Sequence, residues 1–214
     1  IALAAAIVLF EPPITARQKI ETAPAFPYTA VLPLALTTVG VGIIFYTVNI
    51  QLGPILEISG PVSPGEIGLI GALCNLAVGA GTIIFHRLKQ NTGPRLLILG
   101  MIVAGLGYAG IGLSSVLPAI AAFAVLACIG GGILLPNMAT WTMNLLPAQM
   151  RGRGMGLWTG AFFLAQFLAP LVAVAVTGAT GSLASTLLGY GALTTVIAVG
   201  LIVLVASKNA PAKE

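Results

Sequence analysis

LLILGMIVAGLGYAGIGLSSVLPAIAAFAVLACIGGGILLPNMATWTMNLLPAQMRGR, residues 96–153, holds two uncharged apolar runs joined by three residues and followed by two arginines. Each run, 96–114 and 118–145, matches the roughly 20 apolar residues that a helix needs to cross a hydrocarbon core about 30 Å thick. So short a connection makes the runs antiparallel, which puts Arg95, Arg151 and Arg153 on one side. Four further stretches of the same kind lie outward of this pair, at 28–52, 66–85, 155–178 and 183–206. None alternates with period two, and all are much longer than the roughly ten residues of a membrane β-strand. The pattern predicts an all-α membrane protein with six transmembrane helices. Composition agrees, with 58% hydrophobic residues, 7% charged and no aspartate, against about 25% charged in soluble domains.

Alternating the spans across a bilayer places all nine basic residues on one face: Arg17, Lys19, Arg87, Lys89, Arg95, Arg151, Arg153, Lys208 and Lys213. Basic loops stay cytoplasmic, so this face is read as inside, and 53–65, 115–117 and 179–182 as outside. The net charge of +4 and pI near 9.4 then reflect anchors that favour anionic lipid heads. No nucleic-acid partner is expected, because aromatic and basic residues do not interleave. Ile1–Phe10 spans only about 15 Å as a helix and is read as the end of a truncated transmembrane helix. A signal peptide would carry a basic leader and a small-residue cleavage site, whereas EPP follows Phe10 directly. Residues 11–27, with Pro12, Pro13, Pro24 and Pro27, read as a cytoplasmic linker; 28–206 form the six-helix body and 207–214 a cytoplasmic tail.

Polar side chains within the spans carry the functional signal, because lipid offers them no partner. Asn49 and Gln51 fall in the first span, Asn75 in the second, Asn137 and Asn144 in the fourth and Gln166 in the fifth. The third and sixth hold neither residue type. Pro64 with Gly65, Gly68 and Gly71 opens the second span, and Pro147 with Gly152, Gly154 and Gly156 opens the fifth. A pattern recurring every three helices implies a 3+3 inverted repeat, an arrangement found in transporters. In the fourth span Asn137, Thr140, Trp141 and Asn144 share one helical face, which either lines a wet pathway or binds a neighbouring helix. The first alternative is the working expectation. Gly130, Gly131, Gly132 and Pro136 in the same span read either as a hinge or as a close-packing surface. Tyr46 and Asn49, and Gln166 beside Phe162, are expected to line the same pathway. Asn75, between Gly71 and Gly79, and the apolar fillers Cys74 and Cys128 are read as packing residues.

Enzymatic chemistry has no constellation here. His86 is the sole histidine, and Glu57 and Glu66 lie at the outer boundary, so no zinc site, triad or carboxylate pair can be built. No metal and no cofactor is expected, and the absence of a GK[ST] motif excludes a phosphate loop. Intramembrane proton carriers are ionisable, and the six spans contain none.

Three segments resemble the major facilitator superfamily, within it the C-terminal six helices of bacterial drug-efflux or arabinose-efflux-like members. They are YTVNIQLGPILEISGPVSPGEIGLIGAL (Tyr46–Leu73), GTIIFHRLKQNTGPRLLILG (Gly81–Gly100) and LPAQMRGRGMGLWTGAFFLAQFLAPL (Leu146–Leu171). The second departs from the superfamily's GxxxDRxGRR inner-loop signature, since Gly81 leads to His86 and Arg87 with no acid. The resemblance implies half of a twelve-helix secondary transporter in a bacterial inner membrane. Its partners would be a small organic solute, the lipid bilayer and an N-terminal six-helix half of the same chain that supplies the proton-coupling carboxylate. Tyr46, Asn49, Asn137, Thr140, Trp141, Asn144 and Gln166 would line the solute pathway, and Arg87, Arg95, Arg151 and Arg153 would occupy cytoplasmic loops. Export by proton antiport is the implied activity; a non-transporting membrane scaffold or assembly subunit is the alternative.

Overall fold

The structure, a computed structural model, describes residues 25–208. The expected truncated helix 1–10, most of the expected linker and the end of the tail lie outside the described residues. Six long helices follow one another: α1 (Tyr28–Ile50), α2 (Pro64–Leu88), α3 (Pro94–Leu113), α4 (Leu117–Asn144), α5 (Arg151–Thr180) and α6 (Leu183–Lys208). All six are long and apolar enough to cross a membrane, and no strand occurs among the described residues.

Local chemistry sets the ends. Ser63 and Glu66 form a reciprocal capping box at the start of α2, with Pro64 in the first turn, where its missing N–H costs nothing. Gly181, at φ 80°, ends α5 in the left-handed conformation and donates its N–H to Thr177 O over 2.9 Å. The four arginines assigned to loops require correction. Arg87 lies in the last turn of α2, Arg95 in the first turn of α3, and Arg151 and Arg153 in the first turn of α5. Helices of 25 and 30 residues outrun a hydrocarbon core that about 20 residues cross, so their charged ends stay helical beyond it. The end of the bundle that carries these arginines is termed the basic end below.

The bundle has two layers. α5, α1, α4 and α2 stand in a row, with α1 packed on α5, α2 on α4, and α1 against α4. Behind the row α3 packs along both α4 and α6. Without a hydrophobic driving force between helices in lipid, close approach rests on small residues. α4 shows this in three consecutive positions. A Cβ on Gly130 would lie 2.5 Å from Ala104 N of α3, one on Gly131 would overlap Phe45 of α1, and one on Gly132 would overlap Val78 O of α2. Successive helical residues point about 100° apart, so three adjacent glycines face three different neighbours. Gly130, Gly131 and Gly132 are therefore contact points, and α4 runs unbroken through Pro136.

Candidate functional site

Gly42 lets α1 approach α5 so closely that a Cβ there would lie 2.5 Å from Ala165 Cβ. This approach assembles an aromatic cluster. Phe162 of α5 meets Tyr46 at 4.8 Å and Phe45 at 6.0 Å between ring centroids, and Trp158, one turn earlier, stacks on Phe162 at 5.5 Å with the planes 8° apart. Buried Trp158 Nε1 has no hydrogen-bond partner among the described residues. Asn49, half-buried one turn beyond Phe45, donates its amide to Phe45 O at 2.8 Å. Gln166, one turn beyond Phe162, is exposed, as is Phe163 at 58%. An exposed amide in the interior of a long apolar helix calls for water, solute or a second polar surface.

The α4 stripe does not join this cluster. Asn137 is fully buried, and its side chain accepts from Gly93 N at 2.8 Å and donates to Gly93 O at 3.0 Å. Both amide atoms that were expected to face a solute pathway are sealed on the turn that opens α3. Trp141 covers the same glycine, where a Cβ would lie 3.7 Å from Trp141 Cε2. Thr140 is half-buried, and Asn144 is exposed at the last residue of α4. Asn137 stands seven residues, or about 10 Å, from the basic end of α4, whereas Tyr46 stands four residues, or about 6 Å, from the opposite end of α1. The seven expected pathway residues therefore divide into two groups, Asn137, Thr140, Trp141 and Asn144 toward the basic end of α4, and Tyr46, Asn49 and Gln166 about the α1–α5 contact nearer the middle of the bundle.

Two hydroxyls that the sequence reading passed over join helices, Thr82 within the row and Tyr108 between the row and α3. Proline at 136 leaves Gly132 O without its i+4 donor, and the Thr82 hydroxyl of α2 is shared between Val78 O of its own helix at 3.1 Å and Gly132 O at 3.3 Å. Tyr108 of α3, fully buried, accepts from Val48 N at 3.2 Å and donates to Ile44 O, the two groups that an uninterrupted helix pairs with each other. A search for Thr facing the residue four before an internal proline would have flagged Thr82; attention to Asn and Gln alone hid both.

The fold and the polar inventory define a polytopic α-helical membrane protein with two exposed mid-span amides, Asn75 on α2, which donates to Gly71 O at 2.9 Å, and Gln166 on α5, which stands beside an aromatic wall. Residues 25–214 match the profile of the Major Facilitator Superfamily, and the chain belongs to that family of membrane transporters. It is 32% identical over 103 residues to Multidrug resistance protein 3 of Bacillus subtilis (strain 168), a match covering 48% of this chain and 20% of that protein. It is 29% identical over 107 residues to the uncharacterized MFS-type transporter Rv1250 of Mycobacterium tuberculosis (strain ATCC 25618 / H37Rv), covering 50% of this chain and 18% of the relative. The matched stretches thus span about a fifth of the length of these relatives.

Proposed function

We propose that this six-helix bundle is the C-terminal half of a secondary transporter that moves a small organic solute by alternating access, with proton-coupled efflux from a bacterial cell as its physiological direction. The observation that carries the reading is the α1–α5 wall, where Tyr46, Phe162 and Trp158 stack beside half-buried Asn49 and exposed Gln166. A surface of rings and uncharged amides suits a neutral or amphipathic solute and leaves any solute charge to a facing unit. The pairing of α1 with α5 and of α4 with α2 supports the inverted repeat, because exchanging the two triplets converts one pair into the other. Broad exposed faces on α2 and α5, with Leu76 at 72% and Phe167 at 68%, are consistent with lipid on one flank and a second six-helix unit on the other. The basic end faces the cytoplasm in this reading, and Arg87, Arg95, Arg151 and Arg153 anchor it there.

The scaffold alternative draws on Asn137, an amide used wholly for helix-to-turn binding. Flux of a fluorescent amphipath through vesicles containing the full-length protein separates the readings. Transport is expected with a pH gradient, with a several-fold loss in Gln166→Leu. No flux under any gradient supports the scaffold, and flux indifferent to the gradient removes the proton coupling.

A further inference from the structure

Where α1 and α6 should close the back of the bundle, they scarcely touch, although α3 and α4 pack tightly through glycines. The divergence leaves a cavity of about 490 Å³ bounded by α1, α3, α5 and α6. On α6 it extends from Tyr190 to Leu201, eleven residues or about 16 Å of helix, centred between the ends of that span. Its mouth lies where the helices part, at exposed Thr37 and Gly40 of α1 and Leu193 and Ile197 of α6. α6 is otherwise clothed in exposed aliphatics, among them Val196 at 68%, so the mouth opens on the flank that lipid covers.

The lining decides the occupant. It is apolar apart from the hydroxyls of Tyr190 and Thr37; the Thr37 hydroxyl donates to Pro33 O at 2.9 Å, and the buried Tyr190 hydroxyl has no partner among the described residues. Water held in a cavity needs two to four polar partners, and these walls supply one unpaired hydroxyl, that of Tyr190. No charged side chain enters it, so neither a headgroup nor an ion is held. Its depth lies inside the hydrocarbon core, where acyl chains are the abundant species, and its length is close to half the roughly 30 Å thickness of that core. We propose that the cavity is an acyl-chain site: one tail of a bilayer phospholipid enters between α1 and α6 and fills the gap between the two layers. Hydrocarbon packed there supplies the dispersion contacts that α1 and α6 do not supply to each other.

Gly40 provides the test, because a Cβ at this position meets no atom within 4 Å and a larger side chain would fill the cavity without displacing packed groups. The protein is reconstituted in phosphatidylethanolamine–phosphatidylglycerol vesicles doped with phosphatidylcholine bearing a diazirine at the end of one acyl chain, irradiated and mapped by peptide mass spectrometry. Adducts are expected on 37–44 and 193–201 several-fold above those on the exposed face of α5 at Leu164, Phe167 and Leu171 in the same six-helix chain. Gly40→Leu is expected to abolish the excess and leave the α5 adducts unchanged, while Gly40→Ala retains it. Ile197→Phe, which narrows the mouth from the other helix, serves as an independent filler if Gly40→Leu does not fold. Equal labelling of cavity and α5 surface overturns the proposal. So does an excess that survives either filler, or a cavity left unlabelled because another protein segment covers it.

Discussion

Asn137 and Gly93 are joined by two hydrogen bonds, 2.8 Å from the glycine N–H to the amide oxygen and 3.0 Å from the amide nitrogen to the glycine carbonyl. The side chain thereby substitutes for a backbone partner at the first turn of α3, where four N–H groups lack helical acceptors. Gly93 has φ 114°, a conformation that residues with a side chain rarely adopt, and Trp141 lies over the position a Cβ would take. Conformation, ceiling and amide therefore specify one another at this turn.

Asn137→Leu should destabilise the protein through the two Gly93 groups it strands, at about 1–3 kcal/mol for each buried group left unpaired. Solute affinity should stay unchanged. A thermal shift in detergent together with binding of a fluorescent amphipath checks both. An unshifted midpoint with lost binding would restore Asn137 to the pathway.

Gly132→Ala should fold poorly, since its Cβ would overlap the backbone carbonyl of Val78, and overpacking costs about 1–3 kcal/mol even where side chains can yield. Gly79→Ala, on the same α2 but with nothing within 4 Å of the added carbon, should be neutral. The yield of monodisperse protein for the two variants provides the comparison.

Thr82→Val should cost about 0.6 kcal/mol, the average for a hydrogen bond between membrane helices. The loss should vanish in a Pro136→Ala background, because alanine restores the N–H that Gly132 O lacks. A double-mutant cycle with no coupling would show that the 3.3 Å contact does not serve this carbonyl.

Tyr108→Phe should lower stability by about 1 kcal/mol and speed amide exchange at Val48, whose N–H the tyrosine oxygen accepts. Exchange near Asn137 should be unaffected. Uniform acceleration across α1 and α4 would mean that the hydroxyl acts on the whole core rather than on this site.

The six spans were legible because a helix crossing hydrocarbon leaves a run of uncharged residues that little else in a sequence resembles. Helix ends were less so. α5 begins at Arg151 rather than 155 because arginine is acceptable in a helix once it leaves the apolar layer. For α4, spacing located a polar face but could not identify its neighbour: Gly93, which occupies Asn137, is 44 residues away in the chain. Gly130–Gly132 presented a related ambiguity, since a glycine that loosens a helix and one that admits a neighbouring backbone are identical in sequence. Tyr46, Asn49 and Gln166 were singled out as polar groups in lipid, and the aromatic partners that surround them became apparent only when Gly42 brought α1 against α5.

The glycine triplet of α4 also constrains how this bundle tolerates substitution. Three consecutive residues approach α3, α1 and α2 so closely that none of the three contacts leaves room for a Cβ. A side chain at any one of the three positions would therefore part α4 from a different helix in each case.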